Sequence, residues 1–446
     1  MILALLLLFV CFPAGAQNLP RAPEAQIFTL TPHPGFFSEP SVAINPVNPQ
    51  QVVVAFQAKD HIAYSEDAGH HWKLARGVEP SHYRVSGDVS VVYDKDGRAI
   101  LCSIAFDKLG TDQYWAHNAT RNGVFVRRSL DGGKTWEKRL IPVLAHPTTP
   151  GIPFEDKPYI VADNTHSPYA GNLYVGWTHF TLTQSEIYFS RSTNGGATWS
   201  QPIVISTHPG LPRDDNGDVE GFTGAVTPDG VLHVVWTDGN HIVYTESNDG
   251  GRKFVPTRNI IDTAPGYFGI SEVSRCNGFP EIATDPRNGR LYIVWADYRN
   301  GDVDVFASAS HDLGRTWSAA VRVNDDPIHD GDDQFFQWPA IDPATGDFYV
   351  IFYDRRDDPS NRAATVTLAR STDESRTFAN YAWSVKPFDA DGGFIGDYTG
   401  IAAYNGRVYG AWTERPSLKL SKKKQQTIVR VGVADFGPKK AAGSLQ

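Results

Sequence analysis

An eight-residue pattern, S-x-D-x-G-x-T-W, recurs six times along this chain and limits its fold more than any other feature. The copies read SEDAGHHW from Ser65, SLDGGKTW from Ser129, STNGGATW from Ser192, SNDGGRKF from Ser247, SHDLGRTW from Ser310 and STDESRTF from Ser371, so successive copies lie 64, 63, 55, 63 and 61 residues apart. A repeat of this kind marks an array of supersecondary units that bury their apolar faces against one another. Each copy has the chemistry of a hairpin turn. Asp or Asn accepts bonds from backbone amides two residues on, Gly supplies a positive φ, and the closing aromatic packs beneath neighbouring strands. Six equivalent turns cannot share one active site, so their carboxylates are read as structural.

Three strand-like runs precede each turn and one follows it. In the fifth unit they are PEIATD, RLYIVWAD and DVFASAS, with VRVN after the turn; the first unit has VAIN, VVVAF and IAYS, and the third YIVAD, LYVGW and IYFS. Four short strands per unit is the organisation of a propeller blade, and radial closure leaves few open edges. A seventh unit, YTGIAAY, RVYGAW and TIVRVGVADF, has neither a turn motif nor a fourth strand. The segment Gln26 to Leu30, QIFTL, resembles the fourth strands elsewhere and is expected to complete it. The prediction is therefore an all-β, seven-bladed β-propeller of four-stranded blades, with a six-bladed ring plus an accessory segment as the alternative. Composition agrees: 40 Gly, 30 Pro, 18 Tyr and 24 Phe stand against a single Met.

Residues 1–16, MILALLLLFVCFPAGA, join an apolar run to Ala14, Gly15 and Ala16, the pattern of a signal peptide. The run is too short to span a bilayer. Residues 17–446 are read as one propeller domain, secreted or periplasmic and monomeric. A net charge of −9 offers no basic surface for nucleic acid or an anionic membrane. The run Lys422 to Lys424 is read as a solvated loop. Cys102 and Cys276 fall in different units and are read as buried thiols. Asn118, in HNAT, is a formal glycosylation acceptor.

Propeller loops that open onto one face are the starts of first strands and the connections after second strands. The starts offer Glu39, Asp88, Asp156, Glu220, Arg275, Asp333 and Asp397 with Tyr398. The connections offer Asp60, Asp107, His179, Asp238, Asp297 with Arg299, Asp354 with Arg355 and Arg356, and Glu414 with Arg415. Between the fifth and sixth units, Asn324 to Gln334 reads NDDPIHDGDDQ. Its Asp325, Asp326, Asp330, Asp332 and Asp333 are hard oxygen ligands suited to calcium, although their spacing is not that of an EF-hand. No cofactor is otherwise required.

The repeated turn resembles the Asp box of sialidases and other BNR-repeat propellers, in register across residues 65–378. The resemblance implies a carbohydrate-active propeller whose partner is a glycan or glycoconjugate, and, as an enzyme, an exo-glycoside hydrolase. A non-catalytic glycan- or protein-binding propeller at the cell surface is the alternative. It further implies a Tyr nucleophile activated by Glu, an Asp acid/base, and three arginines that fork onto a substrate carboxylate. Carried onto this chain, Tyr398 in GDYTG is the nucleophile, Glu220 its base and Asp60 the acid/base. Arg275, with Arg299, Arg355 and Arg415, supplies the substrate-binding arginines. Where the family opens its first blade with R-I-P, this chain has Ser38-Glu39-Pro40.

Overall fold

The computed structural model describes residues 19–57, 61–79, 83–108, 119–148, 153–213, 217–264, 267–384, 386–416 and 426–437. These form seven antiparallel blades and contain no helix. The innermost strands, in blade order, are Ser41–Ile44, Val85–Tyr93, Phe154–Ala162, Val219–Val226, Glu281–Thr284, Gln334–Ile341 and Gly400–Tyr404. In blades one to six, three further strands follow outward in chain order. Neighbouring inner strands pack side by side around the ring, and those of blades one and seven close it.

Blade seven closes with strands from both ends of the chain. Gln26–Thr29 lies outermost and pairs antiparallel with Ile428–Asp435, Gln26 opposite Val433 and Thr29 opposite Arg430. The expected closure by QIFTL is therefore present, and the six-bladed alternative is not. Pairing the two ends satisfies an edge that would otherwise expose a row of amides.

Second strands are apolar on both faces because every blade is sandwiched between two others. Trp177, Trp236, Trp295 and Trp412, on the second strands of blades three, four, five and seven, are fully buried. The rim turns are alike in their hydrogen bonds. Ser129 Oγ donates to Asp131 Oδ1 (2.8 Å) and accepts from the Gly133 amide (2.9 Å), while Asp131 Oδ1 accepts from the Thr135 amide (3.0 Å). The other five copies repeat all three bonds. Trp136 is buried, and Trp72, Trp199 and Trp317 are partly buried against the cores of their blades. Cys102 and Cys276 are both buried, and neither forms a disulfide.

One irregularity positions the functional face. Inner strands slip register between Gly87 and Ser90, Asp156 and Tyr159, Glu220 and Thr223, and Phe335 and Trp338. Within these bulges Asp88, Lys157, Gly221 and Phe336 have φ of 50°, 43°, 80° and 52°, and Glu39, just ahead of blade one, has 54°. Left-handed backbone at residues other than Gly is strained, and bulges of this kind re-aim side chains. Here they ring one mouth of the central channel.

Candidate active site at the channel mouth

Blades one and seven meet at this mouth through Gly396. Its φ is 101°, and a Cβ there would lie 2.9 Å from Glu39 Cγ and 3.1 Å from the Glu39 amide nitrogen. Glycine thus lets the two chains approach until Glu39 reaches Asp397. Glu39 is 1% exposed, and its Oε2 is buried without a hydrogen-bond partner. Burial pushes its carboxyl well above the usual range, and Asp88 and Asp397 push it further. Arg275 opposes them, while the hydrogen bond to Asp397 adds to the rise. Asp397 is itself forked by Arg275: Nε donates to Oδ1 at 2.9 Å and Nη2 donates to Oδ2. The guanidinium fork thus engages Asp397, while Glu39 beside it meets no cation in direct contact among the described residues and is the carboxyl whose ionisation burial disfavours.

Tyr398 lies next to this pair. Its Oη donates to the Val89 carbonyl at 3.3 Å, and its ring lies 5.6 Å from that of Trp338. Burial raises its phenol well above the ordinary value, followed by the nearby Glu39, Asp88, Asp397 and Asp156. Lys157 reaches across the channel, with Nζ 4.4 Å from the centroid of the Tyr398 ring and 4.8 Å from that of Phe279. The Lys157 amide donates to Asp88 Oδ2 (3.1 Å) and Asp156 Oδ1 (2.9 Å), which ties the bulges of blades two and three together. One step further along the inner strands, Lys157, Tyr159, Phe222, Trp338 and Tyr398 enclose a cavity of about 20 Å³, the size of a single water. Glu281 is buried deeper in the ring. Burial raises its carboxyl against a 2.9 Å bond from Gln337 and the charge of Lys157.

The structure thus brings together Tyr398 and Arg275 and adds Glu39, Asp88, Asp156, Asp397 and Lys157. Glu220 is buried at the start of the fourth inner strand, where its carbonyl accepts from Thr237 Oγ1 at 3.0 Å. Asp60 lies outside the described residues, as do Asn118 and Lys422 to Lys424. Three of the arginines are engaged away from Tyr398. Arg299 folds back on Asp297 (Nε to Oδ1 2.8 Å) and covers the rings of Trp295 and Phe306. Arg355 is buried, donating to the carbonyls of Asn361 (2.7 Å) and Ser271 (2.6 Å). Arg415 donates to the Ala390 carbonyl at 2.7 Å and lies 3.4 Å from Asp391. Lys157, Glu281 and Gln337 escaped sequence reasoning. The signal for Lys157 was its place beside a strand-start acid in EDKPY.

The acidic loop between blades five and six is answered by protein donors. Arg356 lies 2.5 Å from Asp325 and 3.4 Å from Asp326, and Asp326 also accepts from Asn324 (2.8 Å) and Gln334 (3.2 Å). Burial still pushes Asp326 up to about 7. Asp333 accepts from the Val303 amide (3.1 Å) and Asn361 (2.7 Å), and Asp330 from the Asp332 amide (3.0 Å). Asp332 is raised to about 6, by burial first and then by Asp330 and other carboxylates. Among the described residues no three of His, Cys, Asp and Glu converge to hold a metal ion.

Seven four-stranded blades around one channel define a β-propeller, the fold that this chain shares with sialidases of known structure. No protein-family model matches the chain. A curated sialidase of Bacteroides fragilis (strain YCH46) is 27% identical over 221 residues, which make up 44% of this chain and 37% of that protein. The match therefore spans well under half of the relative. Among solved structures, the Hadza microbial sialidase superposes with a TM-score of 0.50 at 15% identity, covering 86% of this chain and 73% of that one. The phage phi92 endosialidase gives a TM-score of 0.50 at 10% identity, covering 95% and 70%. A protein of unknown function from Dyadobacter fermentans DSM 18053 gives 0.48 at 14% identity, covering 93% and 99%.

Proposed function

We propose that this is a secreted carbohydrate-active propeller and that the channel mouth is the active centre of an exo-glycoside hydrolase. One observation carries the reading: two carboxyls in different surroundings, Glu39 buried and raised well above its ordinary range and Asp397 forked by Arg275, meet beside Tyr398. Cleaving a glycosidic bond needs a donor for the leaving oxygen and a group to attack or to activate attack. Environments that hold two carboxyls in different states separate those roles. In this scheme Glu39 gives its proton to the leaving oxygen while the Tyr398 oxygen attacks the anomeric carbon and loses its own proton to a neighbouring carboxylate. Water then attacks the same carbon and gives its proton to the Glu39 carboxylate, while the Tyr398 oxygen departs and takes its proton back from the neighbouring carboxyl, so the sugar is released and every group is restored. The resemblance gives the base role to Glu220 and the acid role to Asp60, and both belong in the same test.

The experiment is a panel of fluorogenic glycosides turned over by the purified mature chain. Tyr398→Phe should lower turnover by about 1,000-fold or more with the melting temperature nearly unchanged. Glu39→Gln should cost about 100-fold or more on substrates with poor leaving groups and little on those with good ones, because only the former need the proton. If Asp60→Asn shows that leaving-group dependence instead, the acid is Asp60. Activity should decline as pH rises through the elevated Glu39 value, since the acid form is then lost. No turnover of any glycoside overturns the reading.

A further inference from the structure

We propose that the channel mouth is built for a neutral sugar and rejects an anionic one; the inference rests on the hydrolase reading for its location. The argument is one of charge and of which donors are already committed. Asp88, Asp156 and Asp397 surround Tyr398, while the cations nearby are Arg275 and Lys157. Both edges of the Arg275 fork that face the ring, Nε and Nη2, are spent on Asp397. The Lys157 ammonium lies between two aromatic faces instead of at an open surface. Binding a sugar carboxylate here would place it among three carboxylates with no guanidinium fork to receive it, and like charges brought into contact repel.

A neutral sugar meets the opposite situation. Glu39 Oε2 is a buried acceptor with no donor, on a residue that is 1% exposed. An uncharged hydroxyl supplies the missing donor without adding charge. Phe394 is 37% exposed, with the Arg275 guanidinium 5.0 Å from its ring centroid, and so presents an aromatic ring beside the Arg275–Asp397 pair. An aromatic face next to hydrogen-bonding carboxylates matches the mixed apolar and hydroxylated surface of a neutral pyranose or furanose.

The test uses the full mature chain, 4-methylumbelliferyl glycosides of arabinose, fucose, galactose and glucose, and the corresponding N-acetylneuraminide. Methyl glycosides of the same sugars are titrated calorimetrically. At least one neutral glycoside should exceed the neuraminide by about 100-fold or more in kcat/KM. Asp397→Asn releases the Arg275 fork, and should tighten N-acetylneuraminate binding at least about 10-fold while neutral turnover falls. Neuraminide cleavage that matches or exceeds that of every neutral glycoside overturns the inference and leaves the hydrolase reading standing. Neutral sugars that bind without being cleaved support the inference and overturn the hydrolase reading. If no sugar of either kind binds, both fall.

Discussion

At the rim, Asp131 and its counterparts accept hydrogen bonds from a serine and from backbone amides, whereas at the channel mouth Glu39 is buried beside two other carboxyls with one oxygen unpartnered. The pKa directions follow. Asp312 is drawn down to about 2 by the Thr316 hydroxyl and amide, and Asp131 falls below its ordinary value although partial burial works against it. Glu39 and Glu281 move up, with burial the leading cause in both. Linkage gives these directions opposite consequences. A lowered carboxylate stabilises the fold above its unfolded value, and that contribution is lost as pH falls through the folded one. A raised carboxyl contributes below its unfolded value, and the contribution is lost as pH rises through the folded one. The rim is thus built for stability at neutral pH, while the mouth keeps buried carboxyls whose ionisation is costly and which stability alone would not retain.

Four measurements break or sharpen this contrast. Trp136→Ala removes a buried rim aromatic whose Nε1 donates to the Gly133 carbonyl at 3.0 Å, and should cost about 3–5 kcal/mol in denaturant unfolding. A loss below about 1 kcal/mol would mean that the turn is not part of the core. Ser129→Ala strands the buried Gly133 amide and should cost about 1–3 kcal/mol by the same measurement. Asp326 tests the raised class away from the mouth. Wild-type protein should lose stability as pH rises from the ordinary Asp value of 3.8 to about 7, and Asp326→Asn should flatten that slope in melting temperatures across the range. An unchanged slope would show that burial does not protonate this carboxyl. The smallest effect belongs to the sixth turn, where Glu374 and Ser375 hold φ of 70° and 63° and Gly250 and Gly251 hold 73° and 77° in the fourth. Ser375→Gly removes the Cβ that crowds this left-handed backbone, and should raise stability by up to about 1 kcal/mol. A decrease would show that the left-handed backbone costs less there than the flexibility that Gly adds to the unfolded chain.

The sequence by itself determined the repeat and the ring. Each turn satisfies its own Ser, its Asp or Asn and the amide four residues after the Ser within a few residues, so the chemistry is local and recurs six times. The closing strand was legible because blade seven lacked one strand and Gln26 to Leu30 had no other place. The rim-facing and mouth-facing roles of the strand-start acids were legible only as a list of names. Tertiary structure decided which of them meet. Arg275 and Asp397 are 122 residues apart and Tyr398 and Val89 are 309 apart, so no spacing in the chain encodes their contact. The glycine-permitted approach at Gly396 brings Glu39 onto Asp397, and the bulge at Lys157 turns that ammonium toward Phe279 and Tyr398. These depend on how seven twisted sheets pack around an axis. The same packing commits Arg299 to Asp297 and Arg355 to two carbonyls, fates that a fork-shaped side chain does not reveal until its neighbours are in place.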